Sequence, residues 1–290
     1  MKRRKVWVGL GTAVLVTSQL AAHKEARPAP EAAVQGAPPL KVAQAHGQHG
    51  AVRMAAKAGG EGGEGDEGGA AQKDYDAKLP PTLRFYRDIA LIRGHLLVGD
   101  ELVREGRWAE ALPHFLHPSE EIYGKIRDDL KTYGVAPFAA ALKSLAQTVK
   151  AKNEAAYRTA LAGLEERLAA ADKGVRAKEQ NWSAFTMDSV LELLRSAGNE
   201  YEEAVEKGRI AKPIEYQDSR GFIWQAEKLF SSVADDLTQK NAEAVKTVQD
   251  GFAELKKAWP VPVPPKTPVK DHGQVLADVS KIELQAGRLK

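Results

Sequence analysis

Apolar residues recur at intervals of three and four along most of residues 81–290. This spacing places them on one face of an α-helix, and the chain has no run of alternating β-branched residues that would indicate a strand. Val275, Val279, Ile282 and Ala286 form such a face near the C-terminus. The other predicted helices cover 81–105, 108–132 with a break at His117-Pro118, 136–151, 153–172, 182–207, 213–239 and 241–258. The pattern therefore predicts an all-α protein.

The chain also resembles itself. Gly99-Asp100-Glu101-Leu102 recurs as Gly198-Asn199-Glu200-Tyr201, and Gly106-Arg107-Trp108-Ala109 recurs as Gly208-Arg209-Ile210-Ala211. Six of the 15 residues that start at Lys152 are identical in the stretch that starts at Lys240. We expect two tandem antiparallel helical bundles from an internal duplication, at 81–175 and 180–290, with Gly106 and Gly208 ending the first helix of each copy in the left-handed conformation.

The N-terminus has the layout of an export signal. Four cations, Lys2 to Lys5, precede an apolar run over 6–22. Residues 1–22 are therefore predicted to be a signal peptide or, if uncleaved, an N-terminal anchor in the inner membrane. The protein is expected in the periplasm, and the membrane is a partner only in the uncleaved case.

Residues 23–80 are rich in Ala, Gly, Pro and Glu, and the stretch 59–69 is mostly glycine. Such a segment cannot bury enough apolar surface to offset the entropy lost on ordering. We predict a disordered tether here.

Composition removes several classes of function. The chain has no cysteine, which excludes disulfide scaffolds, thiol enzymes and cysteine-ligated metal centres. Residues 81–290 carry 31 basic and 31 acidic side chains, so they lack the basic excess of a nucleic-acid binder. The usual catalytic signatures are missing from the sequence, and we expect no enzymatic activity.

Histidine is the one concentrated anomaly. His95, His114 and His117 fall within 23 residues of the first copy, whereas the second copy has Leu194, Tyr216 and Ser219 at the matching places. Glu121 follows one turn after His117. Neighbouring helices of a bundle could bring these side chains together, and imidazoles with a carboxylate suit iron, copper or zinc. The predicted metal ligands are His95, His114, His117 and Glu121.

Gly94 and Gly99 flank His95 on the first predicted helix. Glycine costs about 1 kcal/mol relative to alanine inside a helix, so a close approach of another element is expected there. The alternative is purely structural: His117 caps a helix before Pro118, and His95 is a hydrogen-bonded core residue. Asp218 and Arg220 in the second copy are interpreted as an ion pair.

The features above resemble the imelysin family of periplasmic proteins: an exported all-α chain of two bundles, with Gly94 and His95 adjacent in a helix. That family's motif is Gly-x-His-x-x-Glu. Only His95 matches it here, because Arg93 and Val98 stand at the glycine and glutamate positions. The resemblance implies a binding protein for iron or another metal, in uptake or homeostasis.

A second resemblance keeps an alternative open. Residues 105–112, Glu-Gly-Arg-Trp-Ala-Glu-Ala-Leu, resemble the interhelix turn of a tetratricopeptide repeat, although the 34-residue period of such arrays is missing. The alternative function is a metal-independent helical adaptor or ligand-binding module of the cell envelope. Its partner would be a cell-envelope protein instead of a metal ion.

Overall fold

The structure of the protein, a computed structural model, describes residues 75–290. The predicted signal segment and the tether as far as residue 74 lie outside the described residues. Eight α-helices and one short two-stranded ribbon follow in chain order within 81–290. They are α1 (Pro81–Arg104), α2 (Trp108–His117), α3 (Tyr123–Ile126), α4 (Ala139–Lys150), α5 (Glu154–Arg176), α6 (Trp182–Ala204), β1 (Val205–Glu206), β2 (Arg209–Ile210), α7 (Pro213–Leu255) and α8 (His272–Ala286).

The predicted helical class is confirmed, although the helix predicted over 108–132 ends at Ile126 and a 3-10 helix follows at Leu130–Tyr133. A second exception lies at the end of α6. This helix stops at Ala204, whereas the sequence pattern predicts a helix to residue 207. Lys207 and Gly208 both have positive φ, 50° and 72°, which fits the two-residue turn of a β-hairpin and cannot continue a helix. Gly208 is left-handed, as predicted, but it belongs to this hairpin and does not cap the helix.

Gly106 does have the predicted capping role. Its φ is 76°, and the backbone N–H groups of Gly106 and Arg107 donate to the carbonyls of Val103 and Leu102. This pair of bonds is a Schellman motif, which ends α1.

Two asparagines start helices at the matching places of the predicted repeat. The side chain of Asn153 accepts a hydrogen bond from the Ala156 N–H at 3.1 Å, and that of Asn241 accepts one from the Ala244 N–H at 3.0 Å. Asn241 has non-helical angles, φ −157° and ψ 91°, so α7 consists of two segments that meet at this residue. The duplication itself stays a prediction.

The second half of the chain is a four-helix arrangement. Helix α7 packs along α6 and along α8, and its two segments supply two of the four helices. Val275, Val279, Ile282 and Ala286 of α8 are buried, as their spacing predicts. A side-chain and backbone capping box between Asp271 and Gln274 fixes the start of α8.

Helix α1 is the central element of the described fold. It packs against α2, α5, α6 and α7, and the buried apolar residues of both halves form one contiguous cluster. Of the predicted ligands, His95 lies on α1, His114 and His117 lie on α2, and Glu121 lies just after α2.

Residues 75–78 form a helical turn that packs on the body. The hydroxyl of Tyr75 donates to Glu192 at 2.6 Å, and Arg87 pairs with Asp76 at 2.6 Å. The predicted tether is therefore too long at its C-terminal end, because an aromatic and an acidic side chain there find partners in the bundle. Within 75–290 no helix combines the length and the apolar character needed to cross a membrane.

Candidate metal centre

Two glycines allow α1 and α7 to cross at very short distance. A Cβ atom on Gly221 would lie 2.2 Å from the backbone oxygen of Gly94, and one on Gly94 would lie 2.4 Å from the ring of Phe222. These contacts are too short for any side chain. The crossing places His95, next to Gly94, opposite Asp218, which lies about one turn before Gly221 on α7.

Gly99 has the same role between α1 and α2. A Cβ atom there would lie 2.7 Å from the ring of Phe115 and 3.3 Å from the Cβ of His114. The close approach predicted around His95 is thus confirmed at both glycines. It brings His114 and His117, one turn apart on α2, toward the same face of α1 as His95.

The three histidines converge on one carboxylate. His95 Nδ1 lies 2.6 Å and His114 Nδ1 lies 2.7 Å from Asp218 Oδ1, and His117 Nδ1 lies 3.1 Å from Asp218 Oδ2. The rings of His95 and His117 meet edge to face, with centroids 5.3 Å apart. The potential ligand atoms of His95, His114 and Asp218 all lie within 4.8 Å of one another.

Burial of the cluster is uneven. His114 is 0% exposed, Asp218 2% and His95 4%. The His117 side chain keeps 21% of its surface exposed. A ligand would therefore reach the cluster past His117.

The hydrogen bonds of Gln217 determine which nitrogen of His114 is available. The Gln217 amide nitrogen donates to the carbonyl of Pro262 at 3.2 Å, so its oxygen faces His114 Nε2 at 2.9 Å and accepts from it. Nε2 then carries a proton, as this network assigns it. The atom of His114 that is left for a cation is Nδ1, which faces Asp218.

The charges and hydrogen bonds within the cluster shift the pKa values of Asp218 and His117. Burial alone would raise the pKa of Asp218, but the influence of His95 and His114 and the hydrogen bonds from the imidazoles hold it well below its usual range. Burial alone would lower the pKa of His117. Its hydrogen bond to Asp218 and the charges of Asp218 and Glu121 raise that pKa instead. Asp218 is therefore a carboxylate at neutral pH.

Glu121 lies at the edge of this arrangement. Its carboxylate is 3.9 Å from His117 Nε2, and its side chain is 59% exposed. The chain between His117 and Glu121 runs through a π-helical turn, Pro118–Ile122. Such turns interrupt regular helices and occur often at functional sites. The structure places Glu121 beside His117 and not beside Asp218.

Half-buried Glu200 of α6 lies in the same region. Burial, together with the charges of Asp218 and Glu203, raises its pKa well above the usual range, which favours the neutral carboxyl group.

The donor set fits a transition metal. Three imidazoles and a carboxylate are the ligands that iron, copper and zinc take from proteins, and here each of three imidazoles lies within 3.1 Å of the Asp218 carboxylate. Gln217 accepts a hydrogen bond from His114, as the outer partners that orient metal-binding imidazoles do, and Glu121 lies 3.9 Å from His117 Nε2, beyond hydrogen-bond distance.

Asp218 and Gln217 were not among the site residues predicted from the sequence. The predicted pair of Asp218 with Arg220 is wrong, because residues two apart on a helix point in different directions. Arg220 instead makes two hydrogen bonds to Glu101, at 2.7 and 2.9 Å. One signal could have revealed Asp218: it lies four residues before buried Phe222, on the apolar face of α7, where a carboxylate needs buried partners.

The second half of the chain resembles a known domain. Residues 176–289 match the iron permease-associated 4-helix bundle domain. The matched stretch runs from the end of α5 to the end of the chain, and it contains Gln217 and Asp218 but none of the three clustered histidines. Comparison with curated proteins and with solved structures finds no match.

Proposed function

We propose that the protein is an exported, non-catalytic binding protein that takes up a transition metal ion, with iron as the first candidate. The ion is held by His95, His114, His117 and Asp218. It is the cargo of the protein, in metal uptake or homeostasis. Glu121 supports the site from outside by its contact with His117.

The observation that carries this proposal is the convergence of three histidine Nδ1 atoms on one buried carboxylate. A buried carboxylate needs only enough donors to offset its desolvation, and one imidazolium supplies a full compensating charge. Three histidines drawn from two different helices exceed that need. A site for a cation explains the surplus, because each added ligand strengthens metal binding.

Iron is favoured by the similarity of residues 176–289 to the iron permease-associated 4-helix bundle domain. The same similarity supports a place in the cell envelope, in keeping with the predicted export signal. The resemblance to the imelysin family, which rests on His95, supports the same class of function. Copper and zinc remain alternatives, since they bind nitrogen ligands more tightly than ferrous iron does.

The test is the metal stoichiometry of the purified full chain. The protein is loaded with Fe(II) under anaerobic conditions, or separately with Zn(II), desalted and analysed for metal. One equivalent is expected in the wild type and none in His114→Ala/His117→Ala. The matched control is His272→Ala, since His272 starts α8 and lies outside the cluster.

A further variant distinguishes loss of metal binding from loss of the fold. His117→Gln alters the most exposed histidine of the cluster and should keep the native circular dichroism while weakening binding at least tenfold. Binding of Zn(II) without Fe(II) would keep the metal site and overturn iron as the cargo. Unchanged stoichiometry in both cluster variants would overturn the metal site itself, and the metal-independent binding module would become the better interpretation.

A further inference from the structure

A cleft lies on the other side of α1 from His95. It has a volume of about 400 Å³ and is bordered by α1, α5, the start of α6 and the middle of α7. That volume is within the range of sites for small organic ligands. None of the cluster residues lines it.

The cleft has more positive than negative charge. Its lining includes four cationic side chains against the carboxylates of Glu165 and Asp172. Both carboxylates face Arg93: Asp172 pairs with it at 2.8 and 2.9 Å, and Glu165 lies 3.6 Å from its Nε. The other three cations are Lys173, Arg176 and Lys228. Among residues 75–290, none of these three has an acidic partner within ion-pair distance.

One buried polar group in the cleft has an unmet hydrogen-bonding requirement. Gln225 is 1% exposed, and its amide oxygen has no hydrogen-bond partner within the described part of the chain. An unpaired buried acceptor costs about 1–3 kcal/mol, so a donor in this position is strongly favoured. A ligand hydroxyl group would supply it.

Aromatic rings form one wall of the cleft. Tyr86 and Trp182 meet edge to face with centroids 5.5 Å apart, and the Arg176 guanidinium lies 5.3 Å from the Trp182 ring. The cleft thus combines an apolar wall, a net charge of about +2 from four cations and two carboxylates, and one buried acceptor. We infer that it binds a small hydroxy-dicarboxylate, with Lys173, Arg176 and Lys228 facing the carboxylates and the Gln225 oxygen accepting from the hydroxyl.

Malate and succinate test this inference directly. Both carry two carboxylates, and only malate has a hydroxyl. Isothermal titration of the full chain, freed of metal with a chelating resin, should show both ligands binding. Malate should bind about five- to tenfold more tightly, as one buried hydrogen bond predicts. Failure of both to bind at millimolar concentration would overturn the inference.

Three variants separate the charge from the hydroxyl contact. Gln225→Met should bring the malate-to-succinate affinity ratio close to one while succinate still binds. Arg176→Gln/Lys228→Gln should weaken both ligands at least tenfold, and these exposed residues can change without loss of the fold. Lys143→Gln, on the exposed face of α4, is the matched control and should have no effect.

Equal malate and succinate affinities in the wild type would overturn the hydroxyl contact. An equal loss of affinity in Lys143→Gln and in the cleft variant would show binding by general charge only. Neither outcome depends on whether the histidine cluster binds a metal.

Discussion

The carboxylate of Asp218 lies 2.6–3.1 Å from a ring nitrogen of each of three histidines, in a position that is almost inaccessible to water. A carboxylate in such a place is stable only if its partners compensate for the lost hydration. The low pKa of Asp218 and the raised pKa of His117 both express this mutual stabilisation. The residue is therefore as important for the fold as for any cation that the cluster holds.

Asp218→Asn removes the charge and keeps the shape. We expect the free energy of unfolding to fall by about 3–5 kcal/mol near pH 5.5, as for other broken buried pairs. The lowered pKa of Asp218 gives a stabilisation that is present above pH about 3.9 and is lost as the pH falls further. The raised pKa of His117 gives one that is present below pH about 6.5 and is lost as the pH rises through its folded-state value.

The difference between wild type and Asp218→Asn should thus be largest between about pH 4 and 6.5 and decrease on both sides. Urea unfolding at pH 3, 5.5 and 8.5 measures it. Asp235→Asn, an exposed position of α7, is the control and should change stability by less than about 0.5 kcal/mol. A difference that does not vary with pH would contradict the coupling of Asp218 to the histidines.

At the scale of elements, the close crossing of α1 and α7 creates the site. Gly221→Ala would place a Cβ atom 2.2 Å from the backbone oxygen of Gly94, and backbone cannot move aside as a side chain can. We expect a loss of about 1–3 kcal/mol in unfolding free energy, together with weaker metal binding, because the helices must separate.

Gly163→Ala is the matched substitution for this test. Gly163 is also inside a helix, α5, but a Cβ there has nothing within 4 Å. It should stabilise the protein by about 0.5–1 kcal/mol, because alanine loses less entropy than glycine on folding. Chemical unfolding of both variants, with metal titration of each, gives the comparison. Equal stability of Gly221→Ala and wild type would show that the crossing is not tight.

The helices and their apolar faces could be predicted because they depend on local spacing. The buried face of α8 and the close approaches at Gly94 and Gly99 were recognisable in this way. The partner of Gly94 could not be predicted, because the register in which α7 crosses α1 depends on side chains far apart in sequence. For the same reason His95 could be singled out from the sequence, while Asp218, 123 positions later, was assigned the wrong partner.

At the scale of the whole molecule, the histidines and Asp218 come from the two predicted halves. His95, His114 and His117 belong to α1 and α2, whereas Asp218 belongs to α7, in the part that matches the iron permease-associated 4-helix bundle domain. The matched part supplies only Asp218 and Gln217 to the candidate metal centre. Any cation bound at the cluster must therefore link the two halves.

Metal binding should then stabilise the entire described body as one unit. At a free metal concentration of about 100 times Kd, a ligand that binds only the folded state adds about 2.7 kcal/mol, and for a body of this size each kcal/mol raises Tm by about 2–4 °C. We expect a rise of roughly 5–11 °C in a single calorimetric transition, with amide protection increasing together in α1, α2 and the first segment of α7. His114→Ala/His117→Ala should show neither effect, and His272→Ala should show both. Because the site bridges helices on both sides of the chain's midpoint, a shift confined to one of two separate transitions would mean that the cation is bound within one half and not by the cluster described above.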